Sequence, residues 1–168
     1  NCINYPGKIP SGGYGVMLVE KRHGNIYQTV KYNGYVAQRY SIRDEDDVDT
    51  VASWDKWEYV NPPMVPGTEY RTAKRYNGKA IYTKAVEFGA LPNATAKTVS
   101  CGAVGANVIS WRAVILSGAN NAGIFPWYDN SGNLLAMAYI NSSGSIYVKT
   151  FSDQSATTAN FIIEYVKE

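Results

Sequence analysis

The sequence predicts an all-β protein: a small β-meander domain followed by an antiparallel, jelly-roll-like β-sandwich domain. Its composition favours strands joined by turns, since the 168 residues include 14 Tyr and 4 Trp, which are enriched in strands, and 15 Gly, which is frequent in turns. Few stretches place apolar residues at helical spacing, whereas short apolar runs recur between Gly, Asn and Ser turns. With 45% hydrophobic and 18% charged residues, the chain has enough apolar material to bury a core.

The predicted meander occupies residues 1–62. Asn33-Gly34 separates two apolar runs, and this dipeptide readily adopts the two positive φ angles of a type I′ hairpin turn. The strands are predicted at Val16–Glu20, Ile26–Tyr32 and Tyr35–Arg43. Trp54 and Trp57 follow, and we interpret them as core residues that hold the chain against the sheet.

A proline-rich connector is predicted at residues 63–68. Three prolines within Pro62–Pro66 cannot supply a central strand and make a stiff link. The second domain is therefore assigned to residues 69–168.

The second domain has the regular turn spacing of a sandwich or jelly roll. Its eight strands are predicted at Glu69–Tyr76, Lys79–Phe88, Lys97–Val104, Val108–Leu116, Ile124–Tyr128, Leu134–Ile140, Ser145–Phe151 and Asn160–Val166. Apolar residues occupy both faces of Trp111–Leu116, and contacts between subunits would cover the second face.

Neither nucleic acid nor membrane insertion is expected from the sequence. A net charge of +2 gives no dense basic stripe. Residues 70–76 interleave bases and aromatics, a pattern suited to single strands but more typical of a solvated hairpin face. No apolar run approaches membrane-spanning length, so no membrane insertion is expected. The start at Asn1, without a leader, suggests a fragment of a longer polypeptide.

Catalytic and metal-binding equipment is hard to assemble from these residues. His23 is the single histidine and sits in a predicted turn, so a positioned base and a zinc ligand set are both lacking. The acids after residue 68 are isolated from one another, which disfavours paired-carboxylate glycoside hydrolysis. The acidic run at 44–49 could hold calcium, but a solvated loop is the favoured interpretation. We therefore expect no enzyme, no cofactor and no metal site.

The two cysteines leave their redox state open. Cys2 and Cys101 lie almost a hundred residues apart, and two cysteines do not make a disulfide framework. Free thiols are favoured, with a single bridge between them as the alternative.

A binding site is predicted at Trp127, Tyr128, Asp129 and Asn130. Aromatic faces beside Asp and Asn groups suit a sugar, which is apolar on one side and hydrogen-bonding at its edge. The alternative interpretation is structural: Trp127 closes the sandwich, and the Asp and Asn residues shape the turn that follows.

Residues 5–60 resemble the small knob-like domain of phage tail fibres and pyocin-type particles. The pattern runs from a glycine-proline opening, through a Gln-containing strand and an Arg-Tyr pair, to a Trp-x-x-Trp ending. The matching residues are Gly7 with Pro10, Gln28, Arg39-Tyr40, and Trp54 with Trp57. The acidic run before Trp54 is an insertion relative to this pattern.

Residues 69–93 resemble C-terminal domains of tail proteins from phages and prophages. The motif residues are Glu69-Tyr70-Arg71-Thr72, Tyr76 to Lys84 and Phe88 to Asn93. Tyr76 takes the place of a tryptophan and Cys101-Gly102 that of a His-Gly pair, so no functional role is carried over to Cys101. The motif residues are expected to be structural.

These resemblances imply a receptor-binding segment of a phage tail fibre, located in the virion and extracellular once released. They imply a homotrimer joined to an upstream shaft, and a bacterial surface glycan or protein as partner. A purely structural fibre or baseplate segment is the first alternative, and a surface-polysaccharide depolymerase the second.

Overall fold

The computed structural model describes residues 15–22, 25–32, 34–43, 51–102, 108–117, 121–141 and 144–167. Across these ranges it contains 14 strands and no helix, so the all-β prediction is confirmed. The chain divides into two compact units. Unit 1 comprises Asn1–Pro63 and Tyr70–Ala80, and unit 2 comprises Met64–Glu69 and Ile81–Glu168.

Unit 1 is built on a three-stranded meander with three further strands. The meander consists of β1 (Gly15–Arg22), β2 (Asn25–Tyr32) and β3 (Tyr35–Arg43). The further strands are β4 (Val51–Trp54), β5 (Glu58–Asn61) and β6 (Glu69–Tyr76). The sheet order is β1-β2-β3-β5-β6, and β4 also pairs with β3. Neighbours are antiparallel except β5 and β6, which run parallel where Tyr59 meets Thr72.

Local turn chemistry sets the hairpins. Tyr32 pairs with Tyr35, which leaves the two-residue loop predicted from Asn33-Gly34; Gly34 has a φ of 80°, and Asn33 lies outside the described residues. Asn77 and Gly78 between β6 and β7 have φ angles of 48° and 77°, and two positive values in succession mark a type I′ turn.

The meander buries one face and exposes the other. Val30, Tyr32 and Ala37 are buried on the inner face. Strand alternation places Val16, Leu18 and Ile42 on the opposite face, where their side chains are 68%, 52% and 46% exposed. The outer face of the meander therefore carries exposed apolar side chains among polar ones such as Lys31 and Gln38.

Unit 2 is a sandwich of two antiparallel sheets, to each of which it contributes four strands. Its strands are β7 (Lys79–Ala90), β8 (Ala96–Ser100), β9 (Val108–Ser117), β10 (Asn121–Gly123), β11 (Trp127–Tyr128), β12 (Leu134–Ile140), β13 (Ser145–Thr150) and β14 (Thr157–Val166). The first sheet has the order β7-β14-β9-β10 and the second β11-β12-β13-β8. Eight strands in two sheets are the strand count of a jelly roll.

The core of unit 2 lies between its sheets. Phe161, fully buried on β14, packs its ring against Phe88, Trp111 and Phe125 at centroid distances of 5.7, 5.7 and 5.6 Å. Ile146 and Val148 on β13 contribute the facing side chains and are also fully buried. The strict alternation of burial along β14 follows from this packing.

Of the predicted strand at Ile124–Tyr128, only Trp127–Tyr128 is a strand, β11. β10 ends before it, at Gly123, and Pro126 has no N–H to donate to a ladder. The predicted strand at Lys97–Val104 ends early, at Ser100, and Gly102 has a positive φ of 66°.

The proline-rich segment is hydrogen-bonded within unit 2. The Gly67 N–H donates to Ala85 O at 2.9 Å, and the Thr68 N–H donates to Val65 O at 3.1 Å. Pro63 and Met64 fall on opposite sides of the division between the units. The domain boundaries 1–62, 63–68 and 69–168 stay a prediction.

Candidate functional site

The predicted site begins with Trp127, which packs against the core of unit 2. Its indole ring is half-buried beside Gly123, where an added Cβ would come within 3.2 Å of the ring. Tyr128, the next residue, is 51% exposed. The two aromatic side chains therefore do not form one exposed platform.

Asp129 organises the turn that follows β11. Its Oδ1 accepts hydrogen bonds from the backbone N–H groups of Ser131 and Asn133 at 2.9 and 2.8 Å. Its Oδ2 accepts from the Asn133 side-chain amide at 2.9 Å. The Asn133 side chain, followed by these backbone donors, lowers the pKa of the Asp129 carboxyl.

Tyr128 and Asn130 are the exposed members of the predicted site. Trp127 and Asp129 already make the contacts that the structural interpretation of this stretch expects. A ligand-binding role for the four residues stays a prediction.

Arg39 contacts three of the residues that carry the knob-like resemblance. Its guanidinium lies 4.5 Å from the ring centroid of Trp54 and 4.5 Å from that of Trp57. The Arg39 Nε–H donates to Gln28 Oε1 at 2.9 Å. Both tryptophans are half-buried and contact the cation through their rings, and Trp57 also packs against the core of unit 1.

A charged network lies on the same unit. Arg71 pairs with Asp55 at 3.2 Å and with Glu58 at 3.0 Å, and Arg75 reaches Glu58 at 2.6 Å. Burial raises the pKa of the Asp55 carboxyl, but donors from the Lys56 backbone, Tyr40 and Arg71 outweigh it and leave that pKa lowered. The carboxylates of Asp55 and Glu58 therefore both form ion pairs with arginines.

Glu69 connects the second resemblance to the last strand. It accepts hydrogen bonds from the Tyr165 hydroxyl and, at 2.5 Å, from Lys167 Nζ. Tyr82 stacks on Tyr165 with 6.0 Å between ring centroids, and Lys167 Nζ lies 4.5 Å from the Tyr82 ring centroid. These motif residues hold unit 2 together, as the sequence suggested.

Cys101 is fully buried. Its Sγ donates to Gly144 O at 2.8 Å, and Cys2 lies outside the described residues. A Cβ on the next residue, Gly102, would lie 3.0 Å from Lys84 Nζ. That ammonium borders a cavity of about 320 Å³, which Glu87 and Ser100 also line.

The acids of unit 2 do not converge. Glu164 accepts a hydrogen bond from Ser110 at 2.8 Å, and Asp153 accepts bonds from the backbone and side chain of Ser155. Within the described ranges no three His, Cys, Asp or Glu side chains cluster to hold a metal ion. His23 and the acidic run at 44–49 lie outside those ranges.

Tyr139 and Tyr147 form an aromatic pair that the sequence did not predict, in which Tyr139 is exposed and Tyr147 half-buried. Their ring centroids are 4.7 Å apart and the ring planes differ by 27°. They lie opposite each other on β12 and β13, and Tyr139 is 43% exposed. Both strands were predicted, but placing the two rings together needs the register across residues 141–144.

The described part of the chain has no helix long and apolar enough to cross a membrane.

Neither protein-family models nor curated proteins match this sequence. Among solved structures, it is similar to the C-terminal residues 323–701 of the R1 pyocin fibre of P. aeruginosa. That similarity covers 92% of this chain at 11% identity, with a TM-score of 0.28. The chain spans 57% of the length of that fibre fragment. A TM-score this low supports no conclusion about function.

Proposed function

We propose that this chain is a segment of a phage tail fibre or related particle that recognises a glycan or protein on the bacterial surface. The observation that carries the proposal is the cluster around Arg39. Gln28, before Arg39 in the sequence, and Trp54 with Trp57, after it, belong to the knob-like pattern and all contact this one side chain. A shared pattern whose members meet in space supports a shared fold of unit 1.

Assembly as a homotrimer on an upstream shaft is part of the proposal. Exposed apolar side chains support it: Val16, Leu18 and Ile42 on the outer face of the meander, and Val114 and Leu116 on β9, which are 46% and 44% exposed. Contacts between subunits would cover these side chains. Three copies would multiply weak individual contacts with a receptor through avidity.

Recognition without catalysis is the proposed mechanism. Asp55, Glu58, Glu69 and Asp129 each accept hydrogen bonds or ion pairs inside their own unit. Carboxylates engaged in this way are poorly suited to serve as the acid and base of a hydrolase.

Light scattering and glycan-array binding on one sample test the proposal. A mass of three times 18.5 kDa with binding to a defined surface saccharide is the expected result. A trimer that binds neither glycans nor host cells would favour the purely structural segment. Release of reducing ends from host capsule would favour the depolymerase, and a monomer without any binding would refute the proposal.

A further inference from the structure

The outer face of the second sheet carries an ordered row of side chains. Tyr139 lies opposite Tyr147 on the neighbouring strand, and Tyr147 lies opposite Thr98 on β8. All three point away from the core, because the alternate residues Ile146 and Val148 of β13 are fully buried. The row runs from β12 across β13 to β8.

The two tyrosine rings stack along this row. Their centroid separation of 4.7 Å matches the ~4.8 Å spacing between neighbouring strands, so one ring stands beside the other in the cross-strand direction. The second face of Tyr147 is therefore directed toward β8, where the next side chain is the small, exposed Thr98. We call the surface formed by the Tyr147 ring and the small Thr98 side chain beside it the ledge.

Polar groups border the ledge on both sides. Ser100 lies opposite Ser145 on one side, and Ala96 lies opposite Lys149 on the other. Hydroxyl groups thus flank one edge of the Tyr147 ring and an exposed ammonium the other.

The charge of this face is positive. Strands β8, β12 and β13 contain no Asp or Glu, and Lys149 is the cation of their outer face, since Lys97 lies opposite the buried Val148 and faces inward. Lys97 donates to the backbone oxygens of Phe88 and Ala90 at 3.0 and 2.8 Å. Lys149 is exposed, with its ammonium 5.2 Å from the Phe151 ring centroid. An anionic group is the complement of such a surface.

We propose that this ledge binds one acidic pyranose unit of a surface polysaccharide. The apolar face of the sugar ring stacks on Tyr147, the hydroxyls of Thr98 and Ser100 bond the sugar hydroxyls, and Lys149 pairs with a carboxylate such as that of a uronic acid. The inference rests on the proposed function for its ligand class, and it places the contact away from Trp127.

The test uses the whole chain and a panel of immobilised bacterial capsular polysaccharides, with and without uronic acid. The wild type is expected to bind at least one uronic-acid-containing polysaccharide. Tyr147→Ala and Lys149→Met should each weaken that binding about tenfold or more, as loss of an anchoring contact does. Arg112→Met, which removes an exposed cation from β9 in the other sheet, should bind like the wild type.

A variant that fills the ledge distinguishes loss of the binding site from loss of the fold. Thr98→Tyr puts a strand-favouring residue on the ledge, so it should fold, unfold at the wild-type temperature and yet lose binding. Unchanged affinity in both Tyr147→Ala and Thr98→Tyr would overturn the site and leave glycan recognition standing. A wild type that binds no polysaccharide on the panel would refute glycan recognition itself, and the site with it.

Discussion

The hydroxyl of Tyr165 donates a hydrogen bond to Glu69, which lies 96 positions earlier in the chain. Burial is the largest cause that raises the pKa of Tyr165 above its ordinary value of 10.0, followed by this bond and the charge of Glu69. The folded protein therefore keeps Tyr165 protonated at pH values where an unfolded tyrosine ionises.

Alkaline pH should destabilise the protein through this residue. Because the folded-state pKa of Tyr165 is raised, its stabilising contribution is complete below the unfolded value of 10.0 and falls as the pH rises above it. Urea denaturation across that range measures the free energy of unfolding. Tyr165→Phe should flatten its alkaline decline, whereas Tyr76→Phe, at a ring that is 50% exposed, should not. An equally steep decline in Tyr165→Phe would contradict the assignment.

Arg39 should be a stability residue of unit 1. Arg39→Met keeps an apolar stem but removes the guanidinium between Trp54 and Trp57 and its bond to Gln28. We expect a loss of about 2 kcal/mol in the free energy of unfolding, because a desolvated cation–π contact and a hydrogen bond disappear together. Urea denaturation followed by tryptophan fluorescence measures it.

The matched control for Arg39 is Arg112→Met, since Arg112 is an exposed arginine on β9. Surface substitutions of this kind usually change stability by less than ~0.5 kcal/mol. Equal effects at the two positions would show that the stack on the tryptophans contributes nothing.

Phe161 should be the most costly core position to truncate. It is fully buried between the sheets of unit 2 and packs on three other aromatic rings. Phe161→Ala should cost about 3–5 kcal/mol, the usual loss for deleting a buried aromatic ring. Val114→Ala, on the outer face and 46% exposed, is the control and should change the thermal midpoint of a monomeric sample little. Similar losses for both would disagree with the placement of the core.

The features that local chemistry decides were predictable from the sequence. The Asn33-Gly34 loop joins Tyr32 to Tyr35 as predicted, and Asn77-Gly78 adopts two positive φ angles, because these dipeptides favour such turns without help from distant residues. Burial along β9 alternates between Ala113 and Ile115 inside and Val114 and Leu116 outside, although the sequence is apolar on both faces and did not predict which face would be buried.

The features that depend on long-range pairing were not predictable. Nothing local shows that β14 lies between β7 and β9, or that Trp54 and Trp57 enclose Arg39 from a different strand. The Tyr139–Tyr147 stack likewise depends on a register, whereas the predicted site at Trp127 was chosen because its residues are adjacent in sequence.

Cys101 should be unreactive in the folded protein. Its side chain is fully buried and its thiol donates to Gly144 O at 2.8 Å, so a thiol reagent has no access to it. In a Cys2→Ser variant, Ellman's reagent should label no cysteine under native conditions and one after denaturation. Rapid native labelling would contradict the burial of Cys101. In the unaltered chain, an intact mass two hydrogens lighter before reduction than after it would instead reveal a Cys2–Cys101 bridge.

The role of Asp129 separates the two interpretations of the Trp127–Asn130 stretch. Asp129→Ala removes the acceptor for the N–H groups of Ser131 and Asn133, so hydrogen exchange at both amides should accelerate. Asn130→Ala, in the same exposed turn, should leave their exchange unchanged.

The same turn should respond to pH in the wild type. The pKa of Asp129 is lowered from 3.8, so the hydrogen bonds to its carboxylate should persist at pH 3.8 and above and be lost as the pH falls through the lowered pKa. If Asp129→Ala instead left both amides protected but abolished saccharide binding, the carboxylate would be a ligand-binding group, and the site predicted from the sequence would replace the tyrosine ledge.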